Sequence, residues 1–358
     1  MSDLKFSVPR HLLSSNKILR REFLDGYFSS SLIPFEQEVE NQWEITAFSP
    51  AESEFYVDPN LDETLKSWQH PVSVCNLGNY RSFYKNSMIS FFDSWSLYYW
   101  SLLSCYLSKT GENVQSKYAL IHVDDHKDLS SPLIVESGAG YKCLLSKENF
   151  IFLDPNSVEL SIRKKSIGID SFITPLIWNT EKLEIFHIRY KHLTNPENYN
   201  IKLFKEPDSL LSPEELRFKL ELNENPSTYS YSIGNNNFYF KNKINKESLI
   251  LLHIDCDAFI NRYNLDMNWN SRSPTPQLSL EEVRQLIHQL TQNIAILANP
   301  VFVNIALSPG FFPSEYWVEI CDFLIECFEN SGIIRNDGFS EFLLENYPDE
   351  LRYEIKSG

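Results

Sequence analysis

The pentapeptide Asp124-Asp125-His126-Lys127-Asp128 sets three candidate ligand side chains, Asp124, His126 and Asp128, at every second position. Carboxylates at that spacing suit hard or borderline divalent cations, and one imidazole adds affinity for manganese, iron or zinc. A second pair, Asp255 and Asp257, flanks Cys256. Both sets close an apolar run with the same wording, His122-Val-Asp124 and His253-Ile-Asp255. Unpaired carboxylates resist removal from water, so acids at the tips of buried strands need a compensating charge. Together the sets offer four carboxylates and an imidazole, about the complement that two divalent ions require.

The elements that must position these groups read as strands. Tyr118 to Val123 and Leu249 to Ile254 are short apolar runs of the kind found in buried parallel strands, and 150–153, 185–189 and 301–307 have similar character. Ligands at the carboxyl ends of such strands converge in the crevice where open α/β sheets place their sites. Helical spacing runs from Phe91 to Leu107, with Asp93 or Ser94 able to cap its start, and from Ser279 to Ala298, which opens on the capping box Ser279-Leu-Glu-Glu282. Strands alternating with helices predict an α/β chain with a mainly parallel sheet. Residues 194–246 break the rhythm and are expected as an insertion at the sheet's edge, with a hairpin turning at Gly234-Asn235. Residues 1–70 read as an N-terminal extension packed on the core, 71–335 as the main domain and 336–358 as a C-terminal tail.

Composition excludes some functions. The net charge of −16, with no basic run longer than Arg163-Lys164-Lys165, argues against a general nucleic-acid binder. An acidic surface suits a cationic substrate and also serves solubility. Six cysteines without a CxxC pair favour reduced thiols, and no apolar stretch is long enough to span a bilayer, so a soluble, cytoplasmic protein is expected.

The pair Asp124-x-His126-x-Asp128 and Asp255-x-Asp257 resembles the signature of the arginase/agmatinase (ureohydrolase) superfamily. The wider wording is similar to the peptide arginases, a divergent branch that converts arginine to ornithine in ribosomal peptide precursors of bacteria. It comprises Leu120 to Leu129, Ile167-Gly-Ile-Asp-Ser-Phe-Ile-Thr-Pro175 and Ile305-Ala-Leu-Ser-Pro309. The resemblance covers roughly residues 70–320. It implies a three-layer α/β/α arginase-like fold with a mainly parallel central sheet, two Mn²⁺ ions per chain, and hydrolysis of arginine side chains to ornithine and urea by a metal-bridging hydroxide. Asp124 and Asp255 would bridge both ions, Asp128 would complete one site, and His126 and Asp257 the other. Asp128 would pass a proton to the departing amine. The implied partner is an arginine-containing precursor peptide, and a homo-oligomer is compatible with the family.

Several family positions differ here. The histidine that arginases supply from an earlier helix falls in Phe91-Phe-Asp-Ser-Trp95, where Asp93 is the candidate replacement; a capping role for Asp93, or a ligand from His70, are the alternatives. The loop holding the amino-acid end of arginine corresponds to Asp128-Leu-Ser-Ser-Pro-Leu133 and Ser137-Gly138, making Ser130, Ser137 and Tyr141 substrate-binding candidates. The family's proton-shuttle histidine falls near Tyr141, leaving His187 or His192 as substitutes or as structural residues, and the guanidinium-binding glutamate position offers Ala306. Asp170 reads equally as a ligand-orienting residue and as a cap, and Cys256, His122 and His253 read first as core. A small-molecule ureohydrolase and a non-catalytic, metal-retaining binding protein are the alternative functions.

Overall fold

A computed structural model of the chain describes residues 4–28, 32–48, 57–111, 117–138, 140–190, 196–234, 243–266, 268, 270, 278–297 and 299–355. The chain begins with strand β1 (Leu4–Pro9), helix α1 (Lys17–Phe28) and strands β2 (Ile33–Val39) and β3 (Gln42–Phe48). The three strands form an antiparallel sheet in the order β1-β3-β2. Trp43, Ile45 and Ala47 alternate along β3 and face Leu24, Tyr27 and Phe28 of α1 in a small core that also takes in Leu133, Val135, Leu144 and Leu210. Helix α2 (Leu61–Ser67) contributes Leu61 and Leu65 to the much larger second core.

That core is organised by a second sheet. Strands β4 (Arg81–Tyr84) and β5 (Ser87–Ser90) lead into helix α3 (Trp95–Thr110), followed by β6 (Lys117–Val123), β7 (Ile134–Ser137), β8 (Gly140–Cys143) and β9 (Asn149–Phe150). Helices α4 (Pro155–Arg163) and α5 (Ile173–Trp178) precede β10 (Lys182–Ile188), β11 (Glu197–Pro207), β12 (Leu216–Asn223), β13 (Tyr229–Gly234) and β14 (Leu249–Asp255). Helix α6 (Leu280–Ala295), strand β15 (Val301–Ala306) and helices α7 (Trp317–Asn330) and α8 (Gly338–Asn346) complete the chain. Among the described residues the sheet has twelve strands in the order β4-β5-β15-β14-β6-β10-β13-β11-β12-β7-β8-β9.

The expectation of a mainly parallel sheet is corrected here. The block β5-β15-β14-β6-β10-β13 is parallel throughout. The wing β13-β11-β12-β7-β8-β9 and the edge pair β4-β5 are antiparallel, so the sheet is mixed in about equal parts. The physical reason lies in the connections. Parallel neighbours need long crossovers, whereas β7-β8-β9 and β11-β12 are joined by short loops that only antiparallel pairing allows. Residues 197–234 are accordingly an integral part of the sheet, between β10 and β7. The expected hairpin turns into residues 235–242, which lie outside the described residues; its first arm, β13, is paired by β10 on one edge and β11 on the other.

Helix α6 begins as its sequence predicts, with the Ser279–Glu282 capping box formed. Helix α3 starts at Trp95, later than its periodicity suggests, and Ser94 at its N-cap makes no side-chain cap. At the far edge, residues 351–353 run beside β4, where Tyr353 N donates to Phe83 O at 2.9 Å. No helix among the described residues is long and apolar enough to cross a membrane.

Candidate metal centre

The two acidic motifs sit at the carboxyl ends of adjacent parallel strands, β6 and β14, paired so that His122 lies opposite His253. Beyond each strand the backbone curls. Asp255 accepts the amide of Asp257 at 2.9 Å, closing a short 3-10 turn over Cys256–Ala258 that brings Asp257 back over the strand end. Asp124 Oδ1 likewise accepts the amide of His126 at 2.6 Å. Asp128 turns the following loop at φ 52°, a left-handed conformation that aspartate tolerates better than most residues. Asp125 ties the two motifs together: its amide donates to Asp257 Oδ1 at 3.2 Å, and its carboxylate accepts from Arg189 and Asn261, each at 3.2 Å.

Among the described residues, three groups of side chains come close enough to share a cation: Asp124, His126 and Asp257; Asp93, Asp124 and Asp255; and His122, Asp124 and His253. Asp124 belongs to all three. Its Oδ1 lies 3.5 Å from His126 Nδ1, which is 3.1 Å from Asp257 Oδ2. Its Oδ2 lies 3.6 Å from His122 Nε2, which is 3.7 Å from Asp128 Oδ2. Asp128 is outside the three groups but shares this inner side of Asp124. The carboxylates are buried, while the side chain of His126 is 42 % exposed and marks the solvent side, its ring edge-on to Phe311 with centroids 5.4 Å apart.

Beneath the carboxylates three buried histidines on neighbouring strands lie in one register, His187, His122 and His253, followed by Asn304. His187 Nε2 donates to the carbonyl of Asp124 at 2.9 Å, and its Nδ1 accepts from Tyr231 Oη at 2.5 Å. His122 and His253 meet through their Nδ1 atoms at 2.9 Å, and His253 Nε2 is 3.2 Å from Asp93 Oδ1. Phe172 and Trp100 pack against this row. Burial lowers His187 to about 4 and, with the neighbouring imidazoles, holds His122 well below the usual histidine range, so both are neutral at pH 7.

The acids behave oppositely. Burial and then Asp257 push the Asp124 carboxyl up to about 6, and burial with neighbouring aspartates holds Asp128 and Asp255 well above the ordinary range. For His126, burial opposes charge, but attraction to Asp257 and hydrogen bonds to Asp124 and Asp257 win and raise it to about 11. In the absence of a metal it is thus the cation that offsets its carboxylate neighbours. The donor set fits a metal on a further observation: Asp124 Oδ2 and Asp128 Oδ2 are buried and accept no hydrogen bond from any described residue. Buried carboxylate oxygens without a donor are costly, and a divalent ion is the partner that this arrangement lacks. The clustered histidines and aspartates are consistent with a metal-dependent hydrolytic site.

Asp93 turns its side chain to His253 and the ligand groups while leaving the start of α3 uncapped. His70, the alternative ligand, instead meets the carbonyl of Arg352 at 2.7 Å. Ser130 follows the centre directly, its amide donating to Asp170 O and its carbonyl accepting from Thr174 Oγ1. Ser137 and Tyr141 lie on the antiparallel wing. Ser137 is beside Glu215, and the Tyr141 ring packs on Trp178 and Phe218. His187 anchors backbone, and His192 lies outside the described residues. Cys256 is fully buried with its thiol pushed up by burial.

Sequence reasoning passed over Asp125, Arg189, Asn261 and Ser308, whose Oγ donates to Asp255 Oδ2 at 2.7 Å. Only the repeated His-x-Asp wording hinted at the histidine row. Neither protein-family models nor curated proteins give a match to this chain.

Proposed function

We propose that the chain is a binuclear metal hydrolase that cleaves arginine side chains in a ribosomally made precursor peptide, giving ornithine and urea. The observation that carries this reading is the carboxylate of Asp124, whose two oxygens face different ligand sets, His126 and Asp257 on one side and the Asp128 side on the other. Two divalent ions flanking that carboxylate would supply Lewis acidity and a water able to ionise near neutral pH. Asp93, Asp128 and Asp255 would hold the inner ion, and His126 and Asp257 the outer one. The preponderance of oxygen donors favours manganese.

The remaining roles belong to the chain's own side chains. Five buried carboxylates outweigh the charge of two divalent ions, leaving a negative site for a planar cation such as guanidinium. The exposed face of His126 beside Phe311 is where a side chain carried on a peptide would reach the centre. Asp128, whose Oδ2 lies with Asp124 Oδ2 on the inner side, would hold the proton from water and hand it to the departing amine. The chain's net charge of −16 favours encounter with a cationic peptide.

Mass spectrometry of an arginine-containing precursor peptide incubated with Mn²⁺-loaded protein tests this, beside an Asp124→Ala/His126→Ala control. The expected result is a loss of about 42 Da per arginine, the difference between arginine and ornithine when water cleaves the guanidinium, and none in the control. An unchanged peptide with urea released from free arginine or agmatine would replace the peptide substrate by a small molecule. No turnover of any of them would leave a metal-retaining binding protein.

A further inference from the structure

On the inner side of the centre one imidazole nitrogen faces two buried carboxylate oxygens. His122 Nε2 stands 3.6 Å from Asp124 Oδ2, 3.7 Å from Asp128 Oδ2 and 3.2 Å from the carbonyl oxygen of His126. Both carboxylate oxygens are buried and accept no hydrogen bond from the described residues. The two ring nitrogens of His122 face different ways: Nδ1 meets His253 Nδ1 at 2.9 Å, and His253 Nε2 in turn is 3.2 Å from Asp93 Oδ1. The tautomer with its proton on Nδ1 aims the Nε2 lone pair between Asp124 Oδ2 and Asp128 Oδ2, and His122 and Asp124 belong to one of the groups close enough to share a cation. Donors around a cation with bonds of roughly 2.0–2.2 Å lie roughly 3–3.5 Å apart, close to these spacings.

We propose that His122 is a direct ligand, through Nε2, of the inner metal ion, together with Asp124 Oδ2 and Asp128 Oδ2. His253 and the Oδ1 atom of Asp93 form the line of hydrogen bonds that sets its tautomer, the arrangement by which metal-bound imidazoles are usually oriented. The inner ion then has one nitrogen donor from below and the outer ion one from His126 at the surface. This assignment rests on the metal-hydrolase reading. It replaces the idea that the nitrogen donor of the inner site must come from another helix or be absent.

X-ray absorption spectroscopy on Mn²⁺-loaded protein, with metal analysis and circular dichroism, decides it, because imidazole scattering counts nitrogen ligands independently of turnover. Wild type, His126→Ala and His122→Gln are compared. The expected result is that His126→Ala still shows imidazole scattering. His122→Gln should lose one imidazole and bind the inner ion at least about tenfold more weakly. Metal-loaded His126→Ala without imidazole scattering would overturn the proposal. So would a folded His122→Gln with wild-type metal content, affinity and scattering. If His122→Gln does not fold, the His126→Ala spectrum alone decides. Wild type that binds no divalent ion would instead refute the metal-hydrolase reading itself, and this proposal with it.

Discussion

Replacing Asp124 by asparagine separates what the centre costs the fold from what a metal returns to it. In metal-free protein, burial and Asp257 push the Asp124 carboxyl up to about 6 from an ordinary value of 3.8. The folded chain therefore binds this proton more tightly than the unfolded one. Stability from the group is complete below about pH 4 and is lost as pH rises through about 6. The proton linkage of Asp124 costs the fold about 3 kcal/mol at pH 7, where the carboxyl is ionised, and roughly half that at pH 5, where the folded carboxyl is mostly protonated. Asparagine retains an oxygen for the His126 amide, held at 2.6 Å, and removes the charge. Chelator-treated Asp124→Asn is thus expected to be about 3 kcal/mol more stable than wild type at pH 7 and about half that at pH 5. Mn²⁺ at a hundredfold excess over its Kd stabilises wild type by about 2.7 kcal/mol and leaves the variant nearly unchanged. Urea unfolding followed by circular dichroism, with chelator or Mn²⁺ at both pH values, measures all of this. A metal-free variant less stable than wild type at pH 7, or one that Mn²⁺ stabilises as strongly, refutes the reasoning.

Two further outcomes follow from neighbouring residues. Ser308 holds a left-handed φ of 42° and donates to Asp255 Oδ2 at 2.7 Å. Ser308→Gly relieves the backbone but leaves the buried Asp255 Oδ2 without its hydroxyl donor, so unfolding stability in chelator should fall by about 1–2 kcal/mol and Mn²⁺ affinity by calorimetry about tenfold. Arg217, 3 % exposed, donates to the carbonyls of Ser131, Pro132 and Tyr27 and lies 3.7 Å from Asp208. Arg217→Ala leaves these groups buried without their cation and should cost about 3–5 kcal/mol in urea unfolding, with weakened metal binding because Ser131 and Pro132 continue the Asp128 loop.

Local patterns carried much of the architecture. The apolar runs ending in His-x-Asp are the strands β6 and β14, and Ser279 with Glu282 caps α6. These features depend on neighbours a few residues away, which is why they are legible in a linear chain. The direction of the wing strands was not, because an apolar run fits either pairing until its neighbour is known. The helical periodicity through Phe91 to Leu107 likewise ran past the true start of α3 and could not show which way the Asp93 side chain turns.

The sequence by itself determined that acids and an imidazole stand at the ends of two buried strands, since ligand types and the alternation of an extended chain are local properties. Only the tertiary structure decided that β6 and β14 are adjacent, that His187, His122 and His253 fall in one row, and that Asp93 completes the line through His253. Those facts depend on strand register and on groups far apart in the chain, and register is set by how whole faces of the sheet bury against their cover.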